Sequence, residues 1–321
     1  MHKSVLLEES IENLNIKNGG VYVDATLGFG GHSSEILKKN EKGKLFCFDQ
    51  DETAVKYSYE RLSKIGNNFE IIKSNFENLK EELNKRGIEK IDGILFDLGV
   101  SSVQLDVAER GFSFHNDSKL DMRMDTSSNF SAYNVVNEYS YEKLVDIFYK
   151  YGEEKFSTSI AKNIIKYREN KNIETTLELA EIIKNSVPMK VRREAHPARK
   201  VFQAIRIEVN RELEVLSSAL EQAIELLNVG GRICVITFHS LEDRIVKNAL
   251  KKYSEVDIMV KGLPYIPEEY LPTLKLVGKS ITPSNKELEE NNRARSSRLR
   301  VAEKIKGWYI WPKRIKNILL K

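Results

Sequence analysis

The chain has 321 residues, 41% hydrophobic and 31% charged, with a formal net charge of +4. That composition excludes wholesale disorder, and the length suits two domains or one domain carrying an insert. No apolar run approaches the ~18 residues of a membrane span, and Met1-His2-Lys3-Ser4 is not a signal-peptide start, so a cytoplasmic protein without a membrane partner is expected. Cys47 and Cys234 each sit in an apolar run, which excludes a disulfide framework and a Cys-x-x-Cys metal site; no bound metal is expected.

The first half of the chain alternates. A helical opening from Val5 to Leu14 leads into the apolar run Val21 to Ala25, which stops at a glycine cluster. Next come a helix to about Lys39, a strand Lys44 to Asp49 and a helix Glu52 to Leu62. A strand Phe69 to Lys73, a helix Glu77 to Arg86 and a strand Ile91 to Asp97 follow. Strands separated by helices of this length imply right-handed crossovers and a doubly wound, mostly parallel α/β sheet. From about Val107 to His196 the strands cease, and helices are expected at Tyr141 to Tyr151, Ser157 to Arg168 and Thr176 to Ser186. With 14 basic and 14 acidic residues this stretch is no electrostatic platform. It reads as a helical domain inserted into the sheet domain, because the alternation then resumes. Val201, Ile205, Val209, Leu213, Leu216, Leu220, Ile224 and Leu227 step by three or four, predicting one long amphipathic helix capped by Gly230-Gly231. Arg232 to Phe238 reads as a fifth buried strand, Gly262 to Pro283 as mostly loop, and Arg298 to Glu303 as a last strand.

Charge is unevenly spread. Residues 291–321 carry ten Lys/Arg against one acid, Glu303, leaving a mildly acidic body with a basic end. A polyanionic partner and a merely solvated tail both fit that pattern.

The sharpest local signal is Asp24-Ala25-Thr26-Leu27-Gly28-Phe29-Gly30-Gly31-His32-Ser33, between the first strand and its helix. A doubly wound sheet binds nucleotide-like ligands there, and glycines let the backbone approach them. Asp49, 21 residues beyond Gly28, ends the second strand, where a carboxylate accepts from ribose hydroxyls. NAD and S-adenosylmethionine both fit this outline. S-adenosylmethionine is favoured, because Ser33 stands where the dinucleotide fingerprint wants Gly or Ala.

The rest of the constellation is unusual. It includes Asp97-Leu98-Gly99-Val100-Ser101-Ser102 with Gln104-Leu105-Asp106, then Glu109-Arg110-Gly111-Phe112-Ser113-Phe114 and Leu120-Asp121-Met122-Arg123-Met124-Asp125. His196-Pro197-Ala198, Phe202-Gln203-Ala204, Phe238-His239-Ser240-Leu241-Glu242-Asp243-Arg244 and Arg293-Ala294-Arg295-Ser296-Ser297 complete it. Together these resemble the MraW-type bacterial family of S-adenosylmethionine-dependent methyltransferases that act on the exocyclic N4 of a cytosine in 16S rRNA. The resemblance runs in order from His2 to about Lys304. It implies a class I, Rossmann-like methyltransferase fold with a helical insert, divided as 1–107, an insert at 108–196 that recognises substrate, 197–303, and a basic aromatic tail at 304–321. It also implies cofactor contacts at Gly30, Gly31, His32, Asp49, Phe76, Asp97 and Gln104. The implied partner is 16S rRNA, within the small ribosomal subunit or its precursor.

The amine of cytosine is a poor nucleophile, since its lone pair is delocalised into the ring. Holding it in line with an activated methyl supplies on the order of 7–11 kcal/mol, enough to need no covalent step. Carbon-5 methylation would need a nucleophilic cysteine in a site-like loop, and neither Cys47 nor Cys234 is in one. Asp97 is the candidate catalytic acceptor for an amine N–H, although its first assignment is to the cofactor. Candidate RNA contacts are Arg193, Arg199, Arg206, Asn210 and His239. Arg199, Gln203, Arg206 and Asn210 share one polar helix face, which an ordinary solvated face would also explain. Ser240 with Asp243 reads as a helix-capping box. Trp308, Tyr309 and Trp311 among six cations of the tail suit stacking on bases or docking on the protein's own surface. Two rival functions are a non-catalytic RNA-binding assembly factor on the same scaffold and an NAD-dependent oxidoreductase. Ser33 and the lack of a hydride-transfer constellation oppose the latter.

Overall fold

The structure, a computed structural model, describes residues 4–100, 107–194 and 196–306. The chain forms two compact units, one of residues 1–2, 50–55 and 99–216 and one of the remainder.

The second unit holds the sheet. Its strands are β1 (Val21–Asp24), β2 (Lys44–Asp49), β3 (Phe69–Lys73), β4 (Ile91–Asp97), β5 (Leu227–Thr237), β6 (Leu274–Leu276) and β7 (Arg298–Lys304). They lie in the order β3-β2-β1-β4-β5-β7-β6. Strands β1 to β5 pair in parallel, while β7 runs antiparallel to both β5 and β6. Leu45, Phe46, Cys47 and Phe48 are wholly buried, as are Ile94, Leu95 and Phe96. Such continuous apolar runs belong to central strands covered on both faces. Helices α1 (Leu7–Leu14), α2 (Gly31–Lys39), α3 (Glu52–Leu62) and α4 (Leu79–Asn84) alternate with the first four strands. The order reverses between β1 and β4, so a crevice is expected outside the carboxyl ends of those two strands.

The first unit carries none of the seven strands. It contains α5 (Ala132–Glu138), α6 (Tyr141–Gly152), α7 (Ser157–Arg168), α8 (Thr176–Asn185), α9 (Met189–Glu194) and α10 (Ala198–Asn210). Local caps start them: Ser140 accepts from the Lys143 amide, and Thr175 forms a capping box with Glu178. Val135, Leu144, Phe148, Ile160, Ile164, Leu179, Val201 and Ile205 make a core of this unit's own.

Three expectations need correction. The long helix from Val201 is two helices, because Arg211 adopts a left-handed conformation (φ 51°) between α10 and α11 (Glu212–Leu226). Apolar stepping runs through the break, so periodicity alone does not reveal it. Secondly, α10 packs on α6, α5 and α8, so the helical unit reaches Leu216 rather than ending at 196. Thirdly, Gly230 and Gly231 do not cap a helix. They lie inside β5, where the register with β4 shifts between Ile91 and Gly93. A β-carbon on Gly231 would sit 2.9 Å from the Asp92 carbonyl oxygen, so the irregularity requires glycine there.

Candidate functional site

The glycine loop leaves β1 through Asp24, which is buried. One Asp24 carboxylate oxygen accepts from Ser33 Oγ at 2.6 Å and the other from the Thr26 amide at 3.1 Å. Ser33 is therefore more than a place where the dinucleotide pattern fails: it ties the first turn of α2 to the end of β1. Burial raises the Asp24 pKa, and these hydrogen bonds oppose that shift. Thr26 Oγ1 accepts from the Asp97 amide at 2.6 Å, which joins the loop to β4. From the other side α3 holds the loop, with Ser58 Oγ donating to the Gly28 carbonyl and Arg61 to the Phe29 carbonyl.

Gly28 and Gly30 have φ of 49° and 69°. A β-carbon on Gly30 would also come within 3.3 Å of Ser58 Oγ. At Gly31 the space a side chain would fill is occupied by Ser4, so that glycine serves close packing of the chain on itself. Asp49, at the end of β2, accepts from the Gly28 amide at 2.9 Å, which aims its carboxylate at the loop. His32 is buried. Its Nε2 lies 3.2 Å from the Val5 carbonyl oxygen and its Nδ1 3.6 Å from Asp97 Oδ2. Phe76 follows β3 and is partly buried, its ring edge-on to Phe96 at 5.7 Å. Gln104 lies outside the described residues.

Asp97 ends β4 at the switch point. Its Oδ1 is covered, with no hydrogen-bond partner among the described residues. Burial, then the neighbouring charges of Asp24 and Glu242, push its pKa well above the ordinary carboxylate value. A covered acceptor without a donor, in an acidic setting, suits a cationic ligand or an N–H donor. On the adjoining strand end, His239 is the N-cap of α12 (Ser240–Ser254). The capping box is His239 with Glu242, one residue earlier than Ser240 with Asp243. The Glu242 carboxylate accepts from the Phe238 amide at 2.7 Å and lies 3.1 Å from His239 Nε2. Asp243 pairs instead with Arg300.

In the helical unit the expected polar face of α10 is mostly engaged within the fold. Arg206 makes a two-pronged pair with Glu212, both contacts at 2.8 Å. Asn210 accepts from the Met124 amide and donates to the Met122 carbonyl, each at 2.8 Å. Of that face, Arg199 is exposed. Arg193 belongs to α9, but its side chain lies outside the described residues. The sequence reading missed Arg110, which donates to Asp51 at 2.6 Å and to the carbonyls of Arg123 and Met124. Gly111 must be glycine, since a β-carbon there would collide with the Lys119 carbonyl. The Arg110-Gly111 and Met122-Arg123-Met124 motifs are thus one folded device. Its signal was present as two separate motifs, without the contact that joins them.

The sequence model of the MraW methylase family matches residues 1–305. The chain belongs to the MraW methylase family. Among solved structures, it is similar to an rRNA methylase from Streptococcus thermophilus at 15% identity, covering 95% of this chain and 99% of that one, with a TM-score of 0.42. A protein of Clostridium thermocellum, provisionally described as an rRNA methylase, matches at 15% identity over 95% and 100% of the two chains, with a TM-score of 0.46. A Streptococcus mutans protein provisionally described as a methyltransferase, in complex with SAH, matches at 15% over 95% and 99%, with a TM-score of 0.43. In the methylase, the strand-end acids Asp24, Asp49 and Asp97 divide their work. Asp24 braces the loop, Asp49 accepts from it, and Asp97 keeps an acceptor that no described residue meets. No described helix is long and apolar enough to cross a membrane.

Proposed function

We propose that this methylase modifies the exocyclic N4 of a cytosine in 16S rRNA, acting on the small ribosomal subunit or its precursor. The observation that carries the reading is Asp97: a strand-end carboxylate at the switch point with one covered oxygen that lacks a donor among the described residues. The cofactor, S-adenosylmethionine, supplies when bound a methyl group activated by a sulfonium centre.

Asp49 accepts from ribose hydroxyls while the Gly28 amide fixes its orientation. The left-handed Gly28 and Gly30 keep side chains out of the approach, and the partly buried Phe76 after β3 offers a ring for stacking. Asp97 has the chemistry to accept an N–H of the target amine once ionised, which localises the nitrogen lone pair and orients it. Positive charge placed beside Asp97 favours the ionised state that its acidic neighbours oppose. Arg199 and the basic residues around it offer phosphate contacts in the helical unit.

The test is transfer of labelled methyl from S-adenosylmethionine to purified small subunits and to naked 16S rRNA, followed by nucleoside digestion. Label in N4-methylcytidine is expected. Label in 5-methylcytidine, or none in either substrate, overturns the reading.

A further inference from the structure

We propose that the segment 307–321 packs on an apolar patch formed by residues 256–271 of the same chain. That patch follows α12 and is conspicuous: Ile258 is 86% exposed, Met259 82%, Tyr265 76%, Leu263 49% and Leu271 40%. Five large apolar side chains left exposed in one short segment, in a chain with this many charges, mark an interaction site.

The path of the chain names the occupant. Strand β7 ends at Lys304, and the Ile305 amide then donates to the Thr273 carbonyl at 3.0 Å. Lys306 pairs with the Glu268 carboxylate at 2.7 Å and donates to the Glu268 carbonyl at 3.1 Å. The last described residue is therefore fastened to the patch segment itself. Trp308 and Trp311 follow two and five residues later, within ~7 and ~18 Å of that anchor even if fully extended. The segment 307–321 also brings Tyr309, Ile310, Ile315, Ile318, Leu319 and Leu320.

Charge agrees with the placement. Residues 255–271 hold Glu255, Asp257, Glu268 and Glu269 against Lys261 alone, whereas 307–321 hold Lys313, Arg314, Lys316 and Lys321 with no acid. The match to the methylase family stops at residue 305, so the occupant lies outside the matched residues.

Trp308 and Trp311 are the chain's only tryptophans, so tryptophan fluorescence, excited selectively at the red edge, reports on this segment alone. In the full-length protein the expected emission is that of buried indole, weakly quenched by acrylamide and independent of protein concentration. The double variant Ile258→Glu/Met259→Glu, whose sites are too exposed to disturb the core, should shift emission to the red and raise the quenching constant severalfold. Its circular dichroism should remain unchanged. A wild-type spectrum of solvent-exposed indole overturns the proposal, as does burial that the double variant leaves intact. Burial that appears only at high protein concentration, or only on adding an RNA oligonucleotide, also overturns it, in favour of a second copy or of RNA.

Discussion

Asp97 is held by its surroundings in a state its chemistry does not favour. Burial and the charges of Asp24 and Glu242 raise its pKa, so the folded protein binds its proton more tightly than the unfolded chain does. Below the unfolded value both states are protonated and Asp97 has no effect on stability. As pH rises through the raised value, the folded state must accommodate the charge and loses stability. Asp97→Asn should therefore raise Tm at pH 7 and leave it nearly unchanged near pH 4. Ligand binding reverses the sign. A cation beside Asp97 releases the proton, so affinity for S-adenosylmethionine should climb with pH up to the raised value and then level off. In Asp97→Asn that climb should vanish. Calorimetric titrations across pH check this, and a slope retained by the Asn variant would remove Asp97 from the cofactor site. Asp49→Ala should weaken the same binding by about 1–3 kcal/mol through loss of a charged acceptor. Asp49→Asn, which can still accept from the Gly28 amide, separates support of the loop from contact with the ligand.

Elements were legible where the determinants are local. Strands β2, β3 and β4 and helices α3 and α7 begin and end where apolar runs, turn residues and helical spacing place them. The break at Arg211 was not, since a left-handed arginine has no signature in residue type and Val209 to Leu213 keeps the apolar step. What ends α10 is remote in sequence: Asn210 reaches the Met122 and Met124 backbone, and Met122 itself has a φ of 60°. A non-glycine residue held there is strained and needs neighbours to fix it. Asn210→Ala would leave an amide and a carbonyl unpaired, at a cost of about 1–3 kcal/mol. Thermal unfolding should show that loss, and limited proteolysis should cut faster around residues 120–128. Unchanged stability and cleavage would return Asn210 to the exposed polar face on which an RNA contact was expected. The capping box was misplaced by one residue for a related reason. Both Ser240/Asp243 and His239/Glu242 have the spacing, but only burial of Glu242 and its bond to the Phe238 amide decide between them.

At the scale of the whole molecule, the alternation of strands and helices and its interruption predicted a sheet unit and a helical unit. The glycine loop, Asp49, Phe76 and Asp97 fall at the carboxyl ends of successive parallel strands, so that much of the candidate site could be read from order alone. His32 could not, because its contacts with Val5 and Asp97 depend on how α1, α2 and β4 assemble. Nor could the engaged state of Arg206 and Asn210, whose partners lie on other elements. The central claim concerns one base in one RNA. It is tested most directly by mass spectrometry of nucleosides from 16S rRNA of cells lacking this protein, complemented with either the wild type or Asp97→Asn. The account predicts that N4-methylated cytidine disappears on deletion, returns with the wild type and stays absent or strongly reduced with the Asn variant. Undiminished N4-methylated cytidine in the deletion strain would contradict it.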